Sequence, residues 1–254
     1  MDRTALVKKL NEFNPIGLEE MNSVNLMNRI DSKYVFPLKK LDGLLEIAKD
    51  HYHILQIDHL REFPYSTIYL DTPDLIFFNQ HINGKLPRHK IRYRIYEDSG
   101  KSFLEVKSKT SKDNTIKERI DYNPVGEKLD PSGSDFIRRL VPVDPSSLRP
   151  ELIDRFVRIT LVGLETAERI TIDYNLSFEN NSGKVVELPF MAIAELKRER
   201  LNKQSLFTGL IKELKVRKTG FSKYCMGISM LNNPPKQNSL KSKFLLISKI
   251  ENAG

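Results

Sequence analysis

Basic and apolar residues alternate with a period of two in segment after segment of this chain, and few folds can accommodate that pattern. In KIRYRIY, Arg92 and Arg94 fall on one face, with Ile91, Tyr93 and Ile95 on the other. In FLEVKSK, Glu105, Lys107 and Lys109 face away from Leu104 and Val106. Successive side chains of a strand point to opposite faces, so alternation sustained this long selects half-buried strands over helices. The pattern recurs at Lys117 and Arg119 in TIKERI and at Arg158 between Val157 and Ile159. It recurs again at Arg169, Thr171 and Asp173 opposite Ile170 and Ile172, and at Glu195 and Lys197 in AIAELKRER.

The wet face of an ordinary antiparallel sheet mixes both signs of charge. These faces carry nine basic residues (Arg92, Arg94, Lys107, Lys109, Lys117, Arg119, Arg158, Arg169, Lys197) and three acids (Glu105, Asp173, Glu195), in a chain with 41 Lys+Arg and 33 Asp+Glu. Like charges side by side on a sheet destabilise it unless an anion compensates them, so the segregated excess points to a polyanion. The net charge of +8 fits nucleic acid, acidic lipid headgroups or phosphate-rich small molecules alike.

At 254 residues, with no composition break in the middle, the chain reads as one domain over 1–233 with a tail over 234–254. Apolar runs are short and interrupted by charge, and MDRTALVKKLNEF lacks an apolar signal core, so a cytoplasmic protein with no transmembrane segment is expected. Cys225 is the one cysteine, which excludes an internal disulfide and a thiolate zinc site, and its neighbours Tyr224 and Met226 suggest a buried thiol. His51, His53, His59, His81 and His89 show no zinc-type spacing. Tyr69 and Tyr93, on the apolar side of their strands, read as core.

Short helices are expected over 4–12 and 17–28, a strand over 33–36, and a helix over 38–51 with Leu41, Leu44, Leu45 and Ala48 at helical spacing. Strands follow near 53–58, 65–71, 89–97, 102–109 and 115–122, with Asp98-Ser99-Gly100 as a hairpin turn. Residues 124–150 read as a helical or loop excursion, and strands resume over 155–163, 168–176, 184–188 and 191–199. The stretches KELKVRK and FSKYCMGISML read as helical; beyond Asn233 either a mobile tail or a docked KFLLISKI helix fits. The fold class is α+β. If the apolar strand faces pack on the helices, the charged faces turn inward and about eight strands close into an antiparallel barrel with a basic lumen.

The segments RIDSKYVF, YLDTPD, KIRYRIYE, FLEVKSKT, IKERI, the pair Arg158 and Arg169 before ITIDYNLSF, AIAELKRER and GFSKYCMG, in this order from Arg29 to Leu231, resemble the VTC domain of polyphosphate polymerases. That family is a branch of the triphosphate tunnel metalloenzymes. The resemblance implies a tunnel of eight antiparallel strands that holds ATP and a polyphosphate chain, with an acidic residue binding Mn2+ or Mg2+. It implies phosphate contacts from Lys33, Arg92, Arg94, Lys107, Lys117, Arg158, Arg169, Lys197, Ser222 and Lys223, with Arg29, Lys109 and Arg119 as further candidates, and a metal at Glu195. Catalytic roles fall on Arg92, Arg94, Lys107, Lys117, Arg158, Arg169 and Lys223. Glu105 and Asp173 read instead as charge-balancing partners.

Phosphoryl transfer needs charge neutralisation and in-line positioning more than covalent chemistry from the protein, so Arg forks and a metal suffice without a glycine-rich loop. Two departures stand out: Gly220 replaces a basic residue before Phe-Ser-Lys, with Lys218 nearby, and Lys109 stands where relatives carry His. Both keep or relocate positive charge. Two further readings remain open at this stage: a triphosphatase of the same superfamily, and a non-catalytic polyanion binder. Nucleic acid is not expected, because the strands' aromatic residues lie opposite the cationic face.

Overall fold

The computed structural model describes residues 2–23, 29–111, 115–124, 128–165, 167–200 and 205–253. Its helices are α1 (Arg3–Asn11), α2 (Leu18–Ser23), α3 (Leu41–Ala48), α4 (Ile76–Ile82), α5 (Pro131–Leu140), α6 (Leu206–Glu213), α7 (Lys223–Asn232) and α8 (Lys241–Glu251). The strands are β1 (Pro15–Ile16), β2 (Arg29–Pro37), β3 (His53–Leu55), β4 (Phe63–Asp71), β5 (Arg88–Tyr96), β6 (Ser102–Lys109), β7 (Thr115–Asp121), β8 (Arg149–Gly163), β9 (Glu168–Glu179) and β10 (Val185–Glu199). The end of the helix expected over 17–28 lies outside the described residues.

An antiparallel ladder runs β2-β10-β9-β8-β4-β5-β6-β7, and β1 and β3 form a short side branch on β8. One cleft is lined both by Asp31 and Lys33 of β2 and by Lys107, Lys109 and Thr115 of β6 and β7, so the sheet curls until its two ends face each other. Hydrogen bonds do not close it, and the closed eight-strand barrel expected from alternation is corrected to an open, curled ten-strand sheet. The free edge of β2 is taken instead by the segment before α7: Lys218 forms an antiparallel bridge with Tyr34, and the Thr219 amide donates to the Lys33 carbonyl (2.7 Å), so this segment rather than β7 lies against β2 there.

The convex face is apolar, as the alternation requires. Ala192, Ala194, Leu196, Ile170, Ile172 and Ile159 pack there against Leu6, Leu10, Leu41, Leu44, Leu45, Phe207 and Ile211 of α1, α3 and α6. Ile91, Tyr93, Leu104 and Val106 pack against Phe136 and Ile137 of α5. The segments expected as two strands over 184–188 and 191–199 are one strand, with a register shift between Leu188 and Ala192 around Pro189. Pro lacks the donor for the ladder, so a bulge absorbs it without ending the strand.

The inner face is divided. Toward one end it is apolar, with Val35, Ile193, Leu152, Phe156 and Tyr69 in one cluster with Tyr224, Cys225, Met226 and Ile228 of α7. Asn175, at φ 52°, lies inside β9, and beyond it Leu176 and Phe178 join this inner cluster although Asp173 also faces inward. A short polar side chain tolerates that left-handed turn. The segment after Asn233 forms α8, with Ile247 and Ile250 buried in the same cluster. A buried carboxylate pins α7: Asp71 accepts from the Tyr224 hydroxyl and from the Phe77 and Phe78 amides that open α4.

At Gly227, a Cβ would stand 2.6 Å and 2.8 Å from the methyls of Leu152 and 3.0 Å from Phe178, so only glycine lets α7 lie this close to β8. Gly227→Ala is expected to destabilise the protein by about 1–3 kcal/mol through overpacking, read as a lower midpoint in urea unfolding with an unchanged slope.

Candidate functional site

Past α7 the inner face turns from apolar to charged, because each strand's inner row carries charged residues further along. Lys33 follows Val35 back along β2, Glu195 and Lys197 follow Ile193 on β10, and Arg158 follows Phe156 on β8. Lys90, Arg92 and Arg94 of β5 face the same groove, paired across the ladder with Lys107, Glu105 and Phe103 of β6.

Three carboxylates organise the groove, each held between two cations. Glu105 receives both Nε and Nη2 of Arg92 (2.8 and 2.7 Å) and lies 2.5 Å from Lys117 Nζ. Asp173 takes a bidentate fork from Arg158 (2.6 and 2.8 Å) and Lys223 Nζ at 2.9 Å. Glu195 binds Lys197 Nζ at 2.9 Å and lies 3.6 Å from Lys33 Nζ. Although burial alone would raise its pKa, Arg92 and Lys117 hold Glu105 at about 2. In the same way, Arg158 and Lys223 keep Asp173 low, and Lys33 and Lys197 keep Glu195 well below the usual carboxylate range.

Arg94 differs from these. It is 8% exposed, its Nε has no hydrogen-bond partner, and among the described residues no carboxylate lies within ion-pair distance of it. Beneath it the Tyr65 and Phe156 rings stack at 5.4 Å, with the Arg94 guanidinium 5.4 Å from one ring centre and 5.9 Å from the other. Arg158 lies 5.1 Å from both. Cation–π contact offsets part of the cost of burying these guanidiniums, but it supplies no negative charge.

The other residues singled out in the sequence lie around this centre. Arg169 is half-buried on β9 opposite Lys197, and Lys109 lines the cleft between the sheet edges. Ser222 is the N-cap of α7, its Oγ accepting from the Cys225 amide (3.3 Å) and from Lys90 Nζ (2.9 Å). Arg29 lies at the margin in an ion pair with Asp31 (3.3 Å), and Arg119 stacks on Phe103 at 4.5 Å. Cys225, Tyr69 and Tyr93 are buried, but Tyr69 pairs with Arg92 across the ladder and so lies, like Tyr65 and Phe156, on the inner cationic face rather than opposite it.

Two residues of the groove were not singled out. Lys90 shares the parity of Arg92 and Arg94, a signal present in KIRYR. Asp154 shares the parity of Arg158 in DRFVR; it is fully buried, both oxygens lack hydrogen-bond partners, and Lys223 Nζ is 3.8 Å away. Burial pushes its carboxyl up. Among the described residues, no three His, Cys, Asp or Glu side chains converge as a metal site. Glu195 is therefore a lone carboxylate, a donor set that suits a divalent ion only if phosphate oxygens complete the shell.

The site is a cationic groove on the inner face of a curled antiparallel sheet with helices outside. The chain belongs to the VTC domain family, which it matches over residues 28–232. Its fold is similar to that of a candidate adenylyl cyclase from Hippeastrum described as having a dominant triphosphatase activity: 16% identity, TM-score 0.50, covering 80% of this chain and 96% of that one. It is also similar to a candidate adenylate cyclase from Vibrio parahaemolyticus, at 15% identity and TM-score 0.46, covering 79% and 97%. No curated protein matches the chain in sequence. Among the described residues, no helix is long and apolar enough to cross a membrane.

Burial, reinforced by Lys33, Lys107 and Arg92, pushes Lys90 down to about 8; burial likewise lowers Lys223 to about 8 despite Asp154 and Asp173. Both are cations below that pH and neutral above it, while the arginines stay charged. Tripolyphosphate affinity, measured by calorimetry, is expected to fall about tenfold between pH 7.5 and 9.5, with the midpoint shifted above 8 because a bound anion favours the protonated amines. A flat profile would count against both lysines as ligand contacts.

Proposed function

We propose that this protein is a metal-dependent polyphosphate polymerase that transfers the γ-phosphate of ATP to the end of an inorganic polyphosphate chain. Arg94 carries the proposal: a buried guanidinium without a carboxylate, between the equally inward Arg92 and Arg158, is costly unless an anion joins it. A phosphate chain supplies that anion along the whole groove. Bound between Lys33 on β2 and Lys107 and Lys117 on β6 and β7, it would also draw the two edges together and make the groove a tunnel.

In this reading Arg92, Arg94, Lys107, Lys117, Arg158, Arg169 and Lys223 surround the transferring phosphoryl group. Lys33, Lys109, Lys197 and Ser222 hold the rest of the two chains, with Arg29 and Arg119 at the ends. A terminal phosphate oxygen of the acceptor attacks the γ-phosphorus, the bond to the β-bridging oxygen breaks, and ADP leaves with that oxygen's electron pair. The attacking oxygen is already ionised at neutral pH, so no general base is needed. Arg forks positioned before reaction stabilise the charge on the equatorial oxygens. Glu195, ionised at neutral pH, would hold Mn2+ or Mg2+ together with phosphate oxygens, and the ion would neutralise charge on the leaving group.

One observation favours a second reading, a triphosphatase. The inner face is closed at one end by α7, and a closed end suits a short substrate and water better than a polymer. The Hippeastrum protein of similar fold is described as a triphosphatase. The cleft between β2 and β7 offers a polymer a lateral route instead.

Purified protein incubated with ATP and Mn2+ or Mg2+, with and without a short polyphosphate primer, decides between them on a polyphosphate-stained gel. Primer-stimulated ladders are expected. They should weaken on the order of 100-fold in Arg94→Ala, the loss typical of removing one preorganised donor, and disappear in Glu195→Gln. Free phosphate without ladders would establish the triphosphatase, and no turnover of either kind a binding protein.

A further inference from the structure

Outside β2 lies a second basic cleft, of about 1180 Å3, that takes no part in the groove's chemistry. Lys39 and Lys40 from the turn after β2, Lys212, Lys215 and Arg217 from the end of α6 and beyond, and Lys249 of α8 line it. No Asp or Glu does. Elsewhere the surface is mixed in the ordinary way: between α1 and α3, Lys9 and Lys49 pair with Glu46 and Glu12. Among the described residues none of the six cations pairs with a carboxylate. Lys40 donates instead to the Leu214 carbonyl (2.6 Å) and Lys39 to that of Ala253.

This cleft adjoins the 870 Å3 cleft between the sheet edges, with Lys218, Thr219 and Lys243 lining both. The shared wall is fixed in place: the Thr219 amide donates to the Lys33 carbonyl (2.7 Å), and Lys243 Nζ donates to Thr219 Oγ1 (2.9 Å). Apart from Asp31 at the sheet edge, the charged residues lining the two clefts from Lys33, Lys90 and Lys107, past Lys218 and Lys243, to Lys215 and Lys249 are all basic. The one aromatic residue lining the outer cleft, Phe36, is 1% exposed, so the cleft offers no platform for stacking a base.

We propose that the outer cleft is a track for a linear polyphosphate chain that leaves or enters the groove through the open seam between β2 and β7. The proposal rests on the reading that the groove itself binds phosphate chains. It gives the open seam a purpose: a polymer that cannot pass α7 is led sideways, and the outer cations hold it while the groove works on its end. On this reading a chain of three phosphates is held by the groove alone.

The test compares tripolyphosphate with a polyphosphate of many tens of units, binding to the wild-type chain and to the triple variant Lys215→Ser, Arg217→Ser, Lys249→Ser at several salt concentrations. The variant is expected to bind the long chain about tenfold more weakly, with a salt dependence shallower by about two log units per log unit, and tripolyphosphate within about twofold of wild type. Unchanged long-chain affinity would overturn the track and leave the groove reading standing. Equal loss for both ligands would overturn it as a separate site. A single-stranded oligonucleotide of matched charge that bound the wild type as tightly, and lost as much in the variant, would overturn its assignment to bare phosphate chains. Wild-type protein that binds neither phosphate ligand would remove the groove reading and the track together.

Discussion

The groove depends on carboxylates shared one between two cations. Glu105, Asp173 and Glu195 each lie between two basic side chains, and together these nine residues come from seven strands and one helix. Fully balanced, such an array would be an ordinary buried salt-bridge network, with no net field to offer a ligand. With one acid for two bases, every pair is oriented yet leaves positive charge over. The acids that reduce affinity for anions are thus the groups that fix where the cations point.

The rest of the architecture follows from where that excess can and cannot be placed. It cannot face the helices, whose packing on the convex side is apolar, so it is confined to the inner face. There α7 covers the part of each strand that carries Val35, Ile193, Leu152 and Phe156, and leaves the charged part open. The ends of the ladder are not joined: the edge of β2 is occupied by the segment at Lys218 and Thr219, and β7 remains the other edge.

Much of this was legible in the chain. Period two exposed the inner rows of β5, β6, β7, β8, β9 and β10, because a strand's faces are fixed by parity alone. Lys90, at the head of KIRYRIY, and Asp154, in DRFVR, were equally visible by parity. α4 was not expected: IFFNQHI is a short helix of about two turns whose start is fixed by Asp71, a residue whose partner Tyr224 is distant in sequence. The continuity of β10 through Pro189 and the left-handed Asn175 depended on the neighbouring strands, since a bulge is a property of a pair.

The sequence alone determined that there would be strands with one cationic face and one apolar face, and that a polyanion would suit them, because alternation and charge balance are local properties. Only the tertiary structure decided which acid sits between which two bases, that Arg94 has none among the described residues, that β2 and β7 are not paired, and that α7 covers one end. Those facts depend on distances between residues far apart in the chain. Coulomb energies and steric contact are set by such distances, and no local pattern encodes them.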